Sequence, residues 1–351
     1  MYVRLEHIQK KFGNYQAADD VSFSIEEGRL VGLLGPSGSG KTTILRILAG
    51  LELPDSGDIF INGQCVNDIP ANRRGIGFVF QSYALFRYMT VFENIAFGLR
   101  VQKKDKEYIS QRVRELIHLI GLDGLEKRRS YQLSGGQRQR VAFARALAPN
   151  PKVLLLDEPF AAVDAKVRKE LRSWLRETIS KVGITSIFVT HDQEEAIEVA
   201  DEIIITNQGR IEQIGTPADI YQNPASPFAA KFIGESVRIS HYGKLHGFRA
   251  NPEYPEAIIR PEFVKVSKVD EEIYPHVSVR GIVNDIFFRG NTYELHLNIY
   301  GNEIVAYRSL EDQPLAVGEE VSLLVYRLYL CNENKISLAV NEGLAKAEFY
   351  I

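Results

Sequence analysis

The distribution of apolar residues changes along the chain and divides it into two parts. In the first part, continuous apolar runs lie at 30–34, 75–81, 152–159, 186–192 and 202–209, and turn residues bound most of them. Such runs are typical of strands that are covered on both faces, as in a parallel sheet. The first part is therefore predicted to be an α/β domain built on a largely parallel sheet.

Between these runs, apolar residues recur at helical spacing. Two segments predict helices with one apolar face each, and a glycine (Gly121 or Gly183) is placed to end each helix. The residues of the two faces are Ile109, Val113, Leu116, Ile117 and Ile120, then Val167, Leu171, Trp174, Leu175 and Ile179. We expect both faces to belong to the core rather than to a cofactor pocket.

The pattern changes near residue 236, after which short β-branched runs alternate with turn signals. The sequence "RGN" at 289–291 predicts a hairpin turn between two of these runs. We predict two domains, with an α/β P-loop domain at 1–235 and a small all-β barrel at 236–351.

Composition and charge narrow the possible classes of protein. The chain has 351 residues, of which 45% are hydrophobic and 25% charged, so it is expected to be globular. Its formal net charge of −3 gives no support to nucleic-acid binding. Two distant cysteines and no apolar run long enough to span a membrane predict a cytoplasmic protein with ordinary thiols.

The loop after the run 30–34 carries a phosphate-binding pattern. "GPSGSGKT", from Gly35 to Thr42, matches G-x-x-x-x-G-K-[ST] between a predicted strand and a predicted helix. The glycines let backbone N–H groups converge on a phosphate, the lysine adds a positive charge, and the threonine offers a hydroxyl to Mg²⁺. The predicted nucleotide-binding residues are Ser37, Gly38, Ser39, Gly40, Lys41, Thr42 and Thr43.

Polar residues follow three other predicted strands where those strands end. Asp157 is expected to bind Mg²⁺, and Glu158 is expected to act as the general base for water. Gln81 could ligate the metal or orient water, and His191 could polarise the γ-phosphate. Taken singly, Glu158 could also be a solvated carboxylate and His191 a structural or surface histidine.

A second candidate anion site lies at the start of "LSGGQRQR" (residues 133–140), where Ser134, two glycines and Gln137 precede a basic helix. A serine and two glycines lead into a predicted helix, whose N-terminus favours anions. The alternative is a simple helix cap by Ser134, which would leave the paired glycines unexplained.

Five motifs together resemble the ATP-binding subunits of ABC transporters. In chain order they are "GPSGSGKTT", "FQSYALF", "LSGGQRQRVAFARAL", "LLLDEPFAAVDA" and "VTHDQEEA". The resemblance implies that two copies dimerise head to tail around ATP and Mg²⁺. Ser134, Gly136 and Gln137 of one copy would hold the γ-phosphate of an ATP bound by the other, and Asp164 would cross the interface.

The same resemblance implies further contacts. Phe12 would stack on adenine beside Ala17, although Phe12 could instead be a core residue. Tyr83, Leu85 and Phe86 would contact an integral-membrane permease, although each could instead belong to the subdomain core. The ATPase would then lie at the cytoplasmic face of the membrane, with a separate solute-binding protein on the far side.

Two short segments point to a subgroup of this family. "LFRYMTV" and "RKELRSWLR" resemble the corresponding segments of the ATPases of sulfate/thiosulfate importers. Sugar, iron and polyamine importers remain alternatives. "IIRPEFVKVS" at 258–267 resembles the OB-like regulatory domain of this importer group.

Three other classes of function fit the sequence less well. A soluble ABC ATPase of translation would carry two ATPase halves in one chain, and a soluble ABC ATPase of DNA repair would carry a long coiled coil. Neither pattern is present in this sequence. A P-loop kinase would need neither the signature nor the histidine. A purely regulatory β module would leave residues 1–235 without a role.

Overall fold

The computed structural model describes residues 1–161, 163–272 and 274–344. These residues form two compact units, which are divided between Ala218 and Asp219. The strands of the first unit are β1 (Val3–Phe12), β2 (Tyr15–Ile25), β3 (Leu30–Leu34), β4 (Ser56–Ile61), β5 (Gln64–Cys65), β6 (Ile76–Val79), β7 (Val153–Asp157), β8 (Thr185–Thr190), β9 (Glu202–Asn207) and β10 (Arg210–Gly215). Its helices are α1 (Lys41–Ala49), α2 (Val91–Val101), α3 (Lys106–Leu119), α4 (Gly135–Leu147), α5 (Ala165–Val182) and α6 (Gln193–Val199). Helix α7 (Pro217–Gln222) crosses the division between the units.

The central sheet of the first unit has the strand order β10-β9-β3-β8-β7-β6. All its neighbouring pairs are parallel except β9 with β10. Every residue of β3, β7 and β8 is buried, as the continuous apolar runs predicted. A second, antiparallel sheet, β2-β1-β4-β5, shares a hydrophobic core with it through Val3, Leu5, Leu33 and Val153.

The two predicted amphipathic helices are confirmed. In α3 the predicted face is buried, and Gly121 follows with a φ of +65°. In α5 Leu171, Leu175 and Ile179 are buried, and Gly183 ends the helix in the left-handed region. Trp174 is half-buried and packs edge-on against Phe143, with 5.2 Å between the ring centroids. None of the helices among the described residues combines the length and apolar character needed to cross a membrane.

The second unit is all-β apart from short helices, as predicted. Its strands are β11 (Val237–Ser240), β12 (Glu256–Ile259), β13 (Val264–Lys268), β14 (Val279–Phe288), β15 (Thr292–Ile299), β16 (Asn302–Ser309), β17 (Glu320–Val325), β18 (Arg327–Cys331) and β19 (Ile336–Val340). They form two antiparallel sheets, β11-β12-β18-β19 and β13-β17-β14-β15-β16, around a common core. The predicted hairpin turn joins β14 to β15, and Gly290 supplies its φ of +91°.

The division between the units falls seventeen residues before the predicted boundary at 235/236. Helix α8 (Pro227–Phe232) explains the difference, because its Ala230 packs in one cluster with Ile258 and Phe263 of the second unit. The fully buried Arg260 also donates to the carbonyls of Tyr221 and Ile233. The start of the barrel domain at 236 stays a prediction.

Candidate active site

The loop 35–40 joins β3 to α1, and its shape requires glycine at three positions. Gly38 has a φ of +78° and Gly40 a φ of +92°. A Cβ at Gly40 would lie 1.9 Å from the carbonyl oxygen of Ala17, and one at Gly35 would lie 2.3 Å from that of Thr206. Any side chain at these two positions would displace the backbone, so the glycines allow a tight loop at the end of a buried strand.

Lys41 is the first residue of α1, and its side chain folds back over the loop. Its Nζ donates to the carbonyl oxygens of Gly35 and Pro36, each at 2.8 Å. The residue is 6% exposed, and burial lowers the pKa of the ammonium, while Glu158 and Asp157 act in the opposite direction. A cation that has been withdrawn from water in this way interacts strongly with an anion that reaches it.

Thr42 and Asp157 meet beside this loop, as predicted from the place of Thr42 at the end of the phosphate-binding pattern and of Asp157 at the end of β7. The hydroxyl of Thr42 donates to Oδ1 of Asp157 at 3.2 Å. Burial raises the pKa of the Asp157 carboxyl, and the bond from Thr42 lowers it in part. Oxygen donors of this kind suit Mg²⁺. Within the described residues no three His, Cys, Asp or Glu side chains are placed to hold a metal.

Glu158 is the centre of a second polar group, which contains the other two predicted strand-end residues. Its Oε2 accepts from Nε2 of Gln81 at 2.7 Å, and its Oε1 lies 3.2 Å from Nδ1 of His191. Its backbone is left-handed, with a φ of +44°. For a residue other than glycine this conformation costs on the order of 1–3 kcal/mol, and such residues cluster at active sites. Glu158 and His191 are therefore not isolated surface groups.

Two aromatic residues lie at the β1–β2 hairpin, beside the phosphate-binding loop 35–40. Phe12 is 45% exposed, so the alternative that it is a core residue is wrong, whereas Ala17 is fully buried. Tyr15 pairs with Phe12 across the β1–β2 hairpin and is equally exposed. Its hydroxyl donates to the carbonyl of Gly38 at 2.7 Å. Tyr15 was not predicted from the sequence, although an aromatic residue three positions after Phe12 indicates that the two residues pair across a short hairpin.

The signature residues cap a helix. Ser134 accepts at Oγ from the backbone of Gln137 at 3.3 Å, and Gln137 accepts at Oε1 from the backbone of Ser134 at 3.0 Å. A Cβ at Gly136 would lie 3.1 Å from Cγ1 of Val167 on α5, so helix packing explains this glycine. Across the described residues, Ser134 and Gln137 have no hydrogen bond to the loop 35–40 of the same chain. Asp164 likewise caps α5, accepting from the backbone of Val167 at 3.1 Å.

The predicted permease contacts differ in their exposure. Tyr83 is only 4% exposed, so it differs from the prediction of a surface contact, because packing has withdrawn its ring from solvent. Leu85 is half-buried, and Phe86 is 38% exposed and lies 4.5 Å from the ring of Phe97. Tyr88, which the sequence analysis did not single out, is 88% exposed.

Comparisons with known proteins agree with this architecture. Residues 18–161 match the family described as ABC transporter, and residues 257–325 match the TOBE domain. The first match contains the phosphate loop, the signature and the Asp157–Glu158 pair. The second lies within the all-β unit.

Similar proteins extend the match over most of the chain. The sulfate/thiosulfate import ATP-binding protein CysA of Bacillus cereus is 54% identical over 282 residues, which are 79% of this chain and 78% of that protein. The protein of the same name from Pseudomonas syringae pv. tomato is 47% identical over 323 residues, 91% and 95% of the two chains. The dimeric, post-hydrolysis ATP-binding cassette MJ0796, bound to ADP and Pi, is 34% identical, with a TM-score of 0.55 over 61% of this chain and 98% of that one.

Proposed function

The chain belongs to the ATP-binding proteins of ABC transporters, and on that premise we propose that it hydrolyses ATP to drive the import of sulfate or thiosulfate through a separate membrane permease. The observation that carries the ATPase role is the convergence of Lys41, Asp157 and Glu158 beside the loop 35–40. The solute is supported by relatives named as sulfate/thiosulfate import proteins, at 54% and 47% identity over most of the chain.

ATP would bind with its phosphates on the loop 35–40 and the start of α1. Backbone N–H groups from Ser37 to Thr43 would donate to the phosphates, and the N-terminus of α1 would add its positive dipole end. Lys41 would exchange its loop carbonyls for phosphate oxygens, an exchange that its partly desolvated ammonium favours. The exposed ring of Phe12 would stack on adenine, with Ala17 beneath it.

Mg²⁺ would be held by Thr42, Asp157 and Gln81, and it would supply charge neutralisation for the β- and γ-phosphates. The donor set fits this ion, since it consists of a hydroxyl, a buried carboxylate and an amide oxygen. The hydrogen bond of Gln81 to Glu158 uses the amide nitrogen, so the amide oxygen is the atom assigned to the metal.

Hydrolysis would use Glu158 as the base that takes a proton from water. Gln81 and His191 contact its two carboxylate oxygens separately, and this arrangement would fix its orientation. His191, with 57% of its side chain exposed, could turn toward the γ-phosphate as that group develops charge.

The signature would complete the site of a second copy of the chain. Ser134 is exposed at the N-terminus of α4, where the helix dipole favours an anion. In a head-to-tail homodimer, Ser134, Gly136 and Gln137 would meet the γ-phosphate held by the partner, and Asp164 would lie at the interface. The dimeric state of the similar MJ0796 cassette supports this arrangement.

The permease would dock on the first unit near the segment 82–90, at the cytoplasmic face of the membrane. We assign the contact to Phe86 and Leu85 and add Tyr88, because their exposure exceeds that of Tyr83. The solute itself would be held by the permease and a separate binding protein.

The test is reconstitution with the permease. The chain is copurified with its permease and reconstituted in vesicles with the solute-binding protein, and ATP hydrolysis and solute uptake are measured with sulfate, thiosulfate, maltose, ferric iron and spermidine. We expect the two sulfur oxyanions alone to be taken up and to stimulate hydrolysis. Uptake of another solute would overturn the assignment of sulfate and thiosulfate, and absence of ATP hydrolysis would overturn the motor role.

A further inference from the structure

Arg145 lies in the last turn of α4, eleven positions after the signature serine, and contacts the segment that follows Gln81. Its Nη2 donates to the carbonyl of Tyr83 at 2.8 Å, and its Nη1 donates to the carbonyl of Ala84 at 2.6 Å. Its guanidinium also lies 5.5 Å from the centre of the Phe86 ring. One planar side chain therefore contacts three residues of this segment from a different element.

The two carbonyls belong to the residues with the most unusual backbone in this segment. Tyr83 and Ala84 have φ values of +62° and +44°, and two successive left-handed residues other than glycine are rare. Such a conformation persists only where the surroundings hold it in place. Arg145 is the charged group that holds it, because its fork satisfies both adjacent carbonyl oxygens at once.

Asn94 fixes the far side of the same segment. This side chain of α2 is 1% exposed, accepts from the backbone of Phe86 at 2.9 Å, and donates to the carbonyls of Met89 and Thr90 at 3.2 and 3.0 Å. The residues after Phe86 are thus tied to α2. The short stretch between Gln81 and Phe86 depends on Arg145 and α4.

Helix α4 joins this contact to the signature. Ser134 caps its N-terminus, and Arg145 lies at its other end, a separation of about 16 Å at 1.5 Å per residue. A straight helix moves as a rigid element, so a displacement of Ser134 is carried to Arg145. The Gln81–Glu158 contact, at 2.7 Å, lies two residues before the carbonyls that Arg145 holds.

We propose that Arg145 is a positioning residue that couples the signature helix to the Gln81–Glu158 contact through the left-handed pair Tyr83–Ala84. The inference rests on the proposed ATPase function and adds the element by which closure on nucleotide at Ser134 sets the active geometry at Glu158. Arg145 acts through Gln81 and does not contact the reacting atoms.

The test compares two arginines of the same helix. Arg145→Met keeps an unbranched side chain of similar length and removes both donors, and Arg145→Lys keeps a charge that can reach one carbonyl. Arg140→Met is the matched control, because Arg140 donates to the carbonyl of Ile120 at 3.2 Å and lies 4.9 Å from Trp174, away from the segment 81–86.

ATP affinity, kcat, KM and thermal unfolding are measured on the full chain. We expect kcat of Arg145→Met to fall roughly tenfold. We expect ATP affinity to change less than about threefold, because the loop 35–40 is untouched. Arg145→Lys should recover part of kcat, whereas Arg140→Met should keep kcat per folded molecule even if its melting temperature falls.

A double-mutant cycle with Gln81→Ala isolates the coupling. If Arg145 acts through Gln81, Arg145→Met should lower kcat by less than about twofold once Gln81 has been removed. Multiplicative losses in the double mutant would overturn the proposal, as would equal kcat losses per folded molecule in Arg145→Met and Arg140→Met. A wild-type chain without ATPase activity would instead refute the proposed function.

Discussion

The two glycine-containing loops of the first unit differ in what their polar groups contact. Around the loop 35–40, groups from four strand ends meet, with Lys41, the Thr42–Asp157 pair and the Gln81–Glu158–His191 group in one region. At the signature, Ser134 and Gln137 satisfy each other in a reciprocal cap. Polar groups from distant parts of the chain therefore meet at the first loop, whereas at the second, among the described residues, the side chains of Ser134 and Gln137 hydrogen-bond only within their own helix cap.

Under the proposed function, this difference would divide the work between two copies. A loop that holds a partly desolvated cation and carboxylates at strand ends is prepared to bind and cleave a triphosphate. An exposed helix N-terminus that is capped by its own side chains is suited only to binding an anion that a second molecule presents. Substitutions at four positions separate the two roles.

Glu158→Gln should lower kcat by about 10²- to 10⁴-fold, because the amide cannot accept the proton from water. ATP binding should persist, since the phosphate loop is intact, and the variant should accumulate as an ATP-bound dimer. Steady-state hydrolysis, ATP titration and size-exclusion chromatography measure the three quantities. Full activity in this variant would remove the role of base from Glu158.

Lys41→Ala should lower hydrolysis by about 10²- to 10³-fold and weaken ATP binding by the monomer itself, because the main positive charge of the cradle is lost. Calorimetric titration of the monomer with ATP measures the binding, and Lys152→Ala serves as the control for loss of one lysine. Unchanged binding and kinetics would contradict the phosphate role of Lys41.

Ser134→Asp should lower hydrolysis roughly tenfold or more, because aspartate is as good a helix cap as serine but repels a phosphate. ATP affinity of the monomer and its melting temperature should stay unchanged, and Ser134→Thr should keep most of the activity. Ser134→Arg should also lower hydrolysis without lowering the affinity of the monomer. A Ser134→Asp monomer that no longer binds ATP would place the serine in the site of its own chain.

Gly136→Ala should have the smallest effect, a loss of less than about 1 kcal/mol in the free energy of unfolding, because the new Cβ would press against Val167 while the higher helix propensity of alanine offsets part of that cost. ATP binding by the monomer should not change. Denaturant unfolding measures the loss, and unchanged stability would show that the packing of α4 on α5 does not require this glycine.

The central sheet and the phosphate-binding loop 35–40 could be predicted because their sequence signals are local. Buried parallel strands read as continuous apolar runs, and a phosphate loop requires glycine at fixed spacing. The meeting of Gln81, Glu158 and His191 followed from the rule that parallel strands end at one edge. The capping pair was also readable, since Ser134 and Gln137 have the S-x-x-Q spacing of a capping box.

Other features depend on contacts between distant parts of the chain. The aromatic-rich segment left open whether Tyr83 contacts a permease or belongs to the core, and its burial reflects tertiary packing of a segment that Arg145, 62 positions later, also contacts. The division after Ala218 reflects the packing of α8 and the buried Arg260, neither of which changes the local residue pattern. Local spacing cannot report such partners.

The most direct test of the shared site is a cross-link between its two halves. Ser37 and Ser134 are both exposed, so both are replaced by cysteine in the Glu158→Gln chain, and the exposed Cys65 is replaced by serine. A short bis-maleimide is added with and without ATP, and the linked peptides are identified by mass spectrometry. We expect an ATP-dependent covalent dimer in which position 37 of one chain is joined to position 134 of the other. A link within a single chain, or no 37–134 link when ATP is bound, would contradict it.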